Sequence, residues 1–231
     1  LASPLLRAGF IGRPNRFVVL CGLGGKTVEA YLPNPGRLWE LLLPGRLLYL
    51  VKNPPGSGKS IPYTALAVER EGRPILLHTH LANDMAASLL AAGRLPGFEQ
   101  DRVIRREAAA GSSRYDCLLA RGGRDFFLEV KSCTLVEHGL ALFPDARSAR
   151  ARRHVETLAA AGAGGAGVLF VVQGRADRFL PDFHNDLEFA RAFGAARAAI
   201  DYFPLALEPT FGADRRLRFE GRPRPLAIPW D

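Results

Sequence analysis

Between residues 16 and 78 the apolar positions fall into short runs, RFVVLCGL, TVEAYLP, RLLYLVKN, IPYTALAVER and RPILLH, each closed by glycine, proline or asparagine. Five short strands at this spacing predict a small barrel. The five-stranded, partly open OB-fold fits best, and its exposed face commonly binds oligonucleotides. The segment PNPGRLWELLLPG interrupts the strands: Pro33, Pro35 and Gly36 constrain a loop ahead of a short predicted helical stretch, Leu38 to Leu43. Residues 83 to 92 read as a helix with Asn83 at its N-cap.

Past residue 97 the pattern changes to alternating strand and helix. FEQDRVIRRE leads into SRYDCLLAR and, across Gly122-Gly123, into RDFFLEVKSCTL, adjacent strands of one sheet. Residues 148 to 161 show apolar Val155, Leu158 and Ala159 among basic residues, a helix period. VLFVVQ (168 to 173) reads as a central strand covered on both faces. A helix near 186 to 199 precedes the strand IDYFPLAL. This order predicts a mixed α/β (α+β) second domain, with boundaries at 1–82 and 83–231.

At 231 residues, 48% hydrophobic and 23% charged, with mean hydropathy +0.00, the composition is that of a globular chain and excludes a fibrous repeat or wholesale disorder. No uninterrupted apolar run is long enough to span a membrane, so no membrane partner is expected. The first residues lack the charged and apolar regions of a secretory signal, and a cytoplasmic location is expected. Three cysteines without CxxC spacing suggest neither a disulfide framework nor a structural zinc site. The net charge of +8 favours a polyanionic partner. Only four of the basic residues are lysines, so Lys131, which persists against an arginine-rich composition, attracts notice.

Chemistry concentrates between Glu107 and Lys131. Asp116 lies on one predicted strand and Glu129-Val130-Lys131 on the next, where the two-residue period places Glu129 and Lys131 on one face. Carboxylates beside an ammonium suit phosphodiester hydrolysis. Oxygen ligands hold a hard Mg²⁺ or Mn²⁺ ion, which polarises the phosphoryl oxygen and lowers the pKa of a bound water. Glu107 would complete the acidic cluster. The spacing from Asp116 to Glu129-Val130-Lys131 matches the PD-(D/E)XK nuclease pattern, with Tyr115 where proline often stands. A cross-strand ion pair explains Glu129 and Lys131 just as simply.

Three other patterns are set aside. GSGKS (56 to 60) has Asn53 where a Walker A motif needs its first glycine, and no clear helix follows. Gly22 to Lys26 reads as a hairpin turn, and His78 with His80 lacks a third ligand.

The blocks FxxRPNRF (10 to 17), AYLPNPGRLWELL (30 to 42), GSSRYDCLL (111 to 119), FLEVKSCTL (127 to 135) and LFPDARSARARRHVETL (142 to 158), followed by VLFVVQ, resemble the sugar fermentation stimulation protein A (SfsA) family over nearly the whole chain. The resemblance implies an N-terminal OB-like barrel, a C-terminal PD-(D/E)XK restriction-endonuclease-like mixed-sheet domain, and DNA binding. The family's acidic and basic positions fall on Glu107, Asp116, Glu129 and Lys131, all present here. Departures are Cys117 after the aspartate, Ala151 after Arg150, and HTHLAND (78 to 84) in place of a segment that is typically Asp-Thr-x-x-x-Asn.

The expected activity is a nuclease in which Asp116, Glu129 and Glu107 hold Mg²⁺ or Mn²⁺ and Lys131 assists the attacking water. The alternative is a non-catalytic DNA-binding or regulatory protein that keeps the fold. DNA is the expected partner, with RNA as an alternative, and a homodimer suits nucleases of this fold. Candidate phosphate contacts are Arg13, Arg16 and Arg37 in the first domain; Arg105, Arg106 and Arg114 before Asp116; and Arg147, Arg150, Arg153 and His154 around the following helix. For any single arginine a solvated helix face is the competing explanation. Asp145 is a candidate cap for that helix, and Asn34 and Arg37 serve equally well to tie their loop to the protein body.

Overall fold

The computed structural model describes residues 5–56, 58–110, 113–160, 165–211, 216–219 and 221–230. The chain divides into two compact units, Leu1–His80 with Glu208–Glu220, and Leu81–Leu207 with Gly221–Asp231.

The first unit is a barrel. Its strands are β1 (Leu6–Asn15), β2 (Val18–Leu23), β3 (Lys26–Tyr31), β4 (Leu47–Lys52), β5 (Tyr63–Arg70) and β6 (Arg73–Leu76), in the sheet order β3-β2-β1-β4-β5-β6. Parallel pairing of β3 with β5, through Ala30↔Tyr63 and Tyr31↔Thr64, closes β1 to β5 into a five-stranded ring. Closure removes the exposed edges that would otherwise invite pairing with another chain. The strand count predicted from the sequence is right, but its membership shifts: β1 belongs to the ring and β6 only extends β5. Gly9 and Gly12 break the alternation of β1, whose pairing with β2 shifts register between Phe10 and Gly12 and again before Asn15, so no clean period marks it. Inside the barrel pack Phe10, Val19, Cys21, Leu32, Leu38, Leu41, Leu48, Leu50 and Val68.

The expected helix at Leu38–Leu43 is a turn in which the Leu41 and Leu42 N–H groups both bond to the Leu38 carbonyl. The loop before it is stapled by Arg13, whose guanidinium donates to the carbonyls of Gly36 (2.7 Å), Arg37 (2.7 Å), Arg16 (2.8 Å) and Asn34 (3.1 Å). Asn34 is buried, and its Oδ1 accepts from Gly36 N at 2.9 Å. These bonds tie the 33–37 loop to the β1–β2 turn. Replacing Arg13 with alanine is expected to destabilise the first unit by about 2 kcal/mol, and lysine, which lacks the planar fork, is expected not to rescue it. The urea midpoint of that unit checks both.

A late segment completes this unit. Glu208 pairs with Arg73, Phe211 packs its ring on Tyr49 with centroids 4.3 Å apart, and β15 (Thr210–Phe211) pairs with β16 (Leu217–Arg218).

In the second unit the main sheet joins β7 (Arg102–Ala110), β8 (Ser113–Arg121), β9 (Arg124–Cys133), β12 (Ala166–Gln173), β14 (Asp201–Leu207) and β17 (Arg224–Pro225) in the order β17-β14-β12-β9-β8-β7. β12 is parallel to both β9 and β14, and every one of its eight residues is buried, which explains its unbroken apolar run. β8 and β9 form a hairpin whose turn glycines, Gly122 and Gly123, both take positive φ. A smaller sheet joins β10 (Leu135–Glu137), β11 (Leu140–Phe143) and β13 (Arg178–Pro181), strands too short for periodicity to announce.

Three helices among the described residues accompany the sheets: α1 (Thr79–Ala91), α2 (Ala149–Ala160) and α3 (Leu187–Ala196). One face of the main sheet packs Val168, Phe170 and Val172 with Val155 and Leu158 of α2 and Phe189 and Phe193 of α3. On the other face Phe203 packs against Phe98 and Phe126. α1 starts a turn earlier than expected, so Asn83 lies inside it rather than at its N-cap. Ser148, not Asp145, caps α2: its Oγ accepts from Ala151 N at 3.1 Å. Asp186 serves two helices, accepting Ser148 N at 2.7 Å and Phe189 N at 3.0 Å. No helix among the described residues is long and apolar enough to cross a membrane.

Candidate functional site

The β8–β9 ladder runs from Arg121↔Arg124 to Cys117↔Leu128, and beyond it a side chain takes over from the backbone. Asp116 Oδ2 accepts the Val130 N–H at 2.7 Å, and its Oδ1 accepts from Asn83 Nδ2 on α1 at 2.8 Å. The carboxylate is thus wedged between two strands and fixed from a third element. Such a position orients a charged group without side-chain freedom to lose.

Next to it Glu129 is only 4% exposed. Its Oε1 receives Lys131 Nζ at 2.5 Å and His154 Nδ1 of α2 at 2.6 Å. A carboxylate oxygen only accepts, so His154 Nδ1 carries the proton of that bond. Burial works against the charged Glu129, but the His154 hydrogen bond and the Lys131 ammonium outweigh it and hold the carboxyl below its ordinary range. Buried Tyr115 stands edge-on to His154, its ring centroid 6.4 Å away, and closes that side of the cluster. Asp116 behaves oppositely. Burial, and then the Glu129 charge, push its pKa up to about 6, against the Val130 N–H and Lys131.

Glu107 stands opposite Asp116 across β7, between the pairs Arg106↔Cys117 and Ala108↔Tyr115. Its backbone sits in the left-handed region at φ 51°, and its side chain, 56% exposed, reaches toward Arg114 at 3.5 Å. Glu107 therefore flanks the two inner carboxylates and faces solvent. Among the described residues no three His, Cys, Asp or Glu side chains gather tightly enough to hold a metal ion by themselves. The donor set nonetheless suits a hard cation of the Mg²⁺ type, which takes one or two carboxylates and fills its other positions with water and substrate phosphate. A carboxylate destabilised by burial and by its carboxylate neighbour is the electrostatic deficit such a cation would relieve.

The expected basic residues are distributed unevenly. Arg106 is tied to Asp84 of α1 at 2.6 Å and Arg114 lies near Glu107, while Arg105 is exposed. Arg147, Arg150 and Arg153 point to solvent around α2, with Arg150 one turn before His154. His154 is not a surface phosphate contact but a partner of Glu129. Arg13 is committed to its own loop, while Arg16 and Arg37 are exposed.

Two functional-looking residues escaped the sequence reading of this cluster. Asn83 looked like a cap because Asn before an apolar run is a capping signal, yet it serves Asp116. The role of His154 rests on a bond across 25 residues, for which spacing gives no sign. Of the patterns set aside, Gly24 and Gly25 do form the β2–β3 turn, β5 rather than a helix follows GSGKS, and Ser57 of that segment lies outside the described residues.

Comparison with known proteins covers both units. Residues 80–210 match the sugar fermentation stimulation protein RE domain, and residues 11–77 match the SfsA N-terminal OB domain. The chain is 40% identical over 206 residues to a sugar fermentation stimulation protein homolog of Methanothermobacter thermautotrophicus, covering 87% of this chain and 85% of that protein. It is 42% identical over 176 residues to a homolog from Moorella thermoacetica, covering 75% and 76%. Among solved structures, one described as Pyrococcus furiosus SfsA in complex with Ca²⁺ superposes with a TM-score of 0.86 at 28% identity, covering 99% of this chain and 97% of that one.

Proposed function

The chain belongs to the sugar fermentation stimulation protein family, and from that premise we propose that it is a metal-dependent nuclease acting on DNA through the cluster around Asp116. One observation carries the reading: Asp116, clipped to the Val130 N–H, stands beside Glu129 and Lys131 as one of a pair of carboxylates, its pKa raised first by burial and then by the Glu129 charge. A purely electrostatic DNA binder gains nothing from carboxylates beside phosphate unless a cation offsets them. The Ca²⁺ complex of the Pyrococcus furiosus structure supports a hard cation in this fold.

Asp116 and Glu129 would hold Mg²⁺ or Mn²⁺, with Glu107 as an outer ligand. The ion supplies Lewis acidity and a lowered pKa for its bound water. Asn83 and the Val130 N–H keep Asp116 in place, and His154 keeps Glu129 charged and oriented. Lys131 holds a positive charge where the attacking water and the developing phosphorane charge would lie. Exposed Arg147, Arg150 and Arg153 offer contacts to the phosphate backbone.

A second reading, DNA binding without turnover, is favoured by one feature: Glu129 Oε1 already has both Lys131 and His154 bonded to it. Cleavage of labelled single-stranded and duplex DNA and RNA, with Mg²⁺, Mn²⁺ or EDTA, separates the two. Metal-dependent cutting that disappears in Asp116→Ala and Lys131→Ala supports the nuclease. Salt-sensitive binding without cutting under every condition overturns it.

The raised Asp116 pKa has a measurable sign. Between the ordinary aspartate value and about 6 the folded state holds more protons than the unfolded one, so this group makes stability fall as pH rises through that window. In EDTA the melting midpoint of the wild type, measured relative to Asp116→Asn, is expected to drop between pH 4 and pH 7. Added Mg²⁺ is expected to restore it above pH 6 and to have little effect at pH 4. A pH-independent difference between the two proteins would remove the electrostatic argument.

A further inference from the structure

The turn after the stapled loop exposes an indole that packing does not use. Leu38 lies at φ 56°, a left-handed conformation that strains a leucine. This backbone buries Leu38 completely and leaves its neighbour Trp39 71% exposed. Over the Trp39 ring lies the Arg37 guanidinium, 4.9 Å from the ring centroid. The base beneath is stiff, because Arg13 holds the carbonyls of Asn34, Gly36 and Arg37. The same guanidinium holds the carbonyl of Arg16, next to exposed Phe17. Local strain, a four-bond staple and a cation over the ring thus all converge on presenting one large aromatic face to solvent.

We infer that Trp39, backed by Arg37, is a base-stacking site for single-stranded nucleic acid on the barrel unit. The inference rests on the nucleic-acid reading above and adds the strand form and the contact. An indole stacks any unpaired base, because every base has a π-face, and an adjacent guanidinium neutralises the phosphate that follows. Duplex DNA hides those faces. Exposed Arg37 lies over the ring, and the net charge of +8 complements a polyanion. The occupant that fits is therefore a single strand rather than an apolar protein segment.

The chain contains two tryptophans, and Trp230 stacks on Phe193 in the second unit. Trp230→Phe therefore leaves Trp39 as the sole indole reporter in this 231-residue chain. In EDTA, oligothymidylate of about ten nucleotides is expected to quench its fluorescence, whereas duplex DNA of equal charge and heparin are not. Trp39→Ala is expected to weaken single-strand binding about tenfold with little change in the salt slope, and Trp39→Phe to retain most of the affinity. Equal quenching by heparin, a loss below twofold in Trp39→Ala, or quenching that depends on protein concentration alone would each overturn the assignment, the last in favour of self-association. Because binding is read without metal, the two readings fail separately. Absent quenching with intact cleavage removes only the stacking site, and quenching without cleavage removes only the nuclease.

Discussion

Asp116→Asn is expected to lower metal-dependent cleavage by at least about a thousandfold, equivalent to about 4 kcal/mol of transition-state stabilisation, while leaving the protein folded. The amide keeps the shape of the carboxyl: its carbonyl can still accept the Val130 N–H, and its NH2 can donate to Asn83 once the Asn83 amide turns over to present its oxygen. What it loses is the charge that burial and Glu129 already disfavour in the metal-free protein. The substitution should therefore raise the melting midpoint in EDTA at neutral pH and abolish its response to Mg²⁺. DNA binding in EDTA should be unchanged or tighter, since one carboxylate beside the phosphate has gone. Activity falling while stability rises is a signature that a merely structural aspartate would not give. A variant that loses activity and stability together would point to Asp116 as a strand clip instead.

The second large effect is expected at Lys131. Lys131→Met removes the ammonium 2.5 Å from a nearly fully buried carboxylate and leaves Glu129 Oε1 the His154 hydrogen bond. Breaking one half of a buried pair strands the other charge, and about 3 kcal/mol of folding stability should be lost along with cleavage. The double variant Glu129→Gln/Lys131→Met contains no stranded charge and should recover most of that stability without regaining activity. Urea unfolding of the two variants reads the difference. If the double variant is no more stable than the single one, the ammonium contributes through packing of its methylenes rather than through its charge.

How much of this was legible beforehand depends on the range of the interactions. The hairpin β8–β9 follows from local signals, Gly122-Gly123 between alternating runs, and it carries Asp116, Glu129 and Lys131 together. β12 betrays its place at the centre of the sheet by being apolar from Ala166 to Val172. β1 stayed hidden because two glycines and two register shifts erase its period, and the closing β3–β5 pair joins strands far apart in sequence. By residue type alone Asn83 suggests a cap, and His154 and Arg13 suggest phosphate contacts. Their partners, Asp116, Glu129 and four backbone carbonyls, come from distant elements that only the folded chain brings near. Trp39 gave no signal either, because in a run such as RLWELLL a tryptophan reads as core.

The return of residues 208–220 to the first unit imposes an order on biosynthesis. The ribosome releases every barrel strand before any strand of the main sheet, but Glu208 and Phe211, the partners of Arg73 and Tyr49, appear only after β14 has been made. Until then the ring of Tyr49 lacks its cover, and the nascent barrel waits through most of the second unit's translation with that face unfinished. A fragment ending at residue 82 would stay permanently in this waiting state, so a barrel released by truncation is a different object from the barrel of the whole chain.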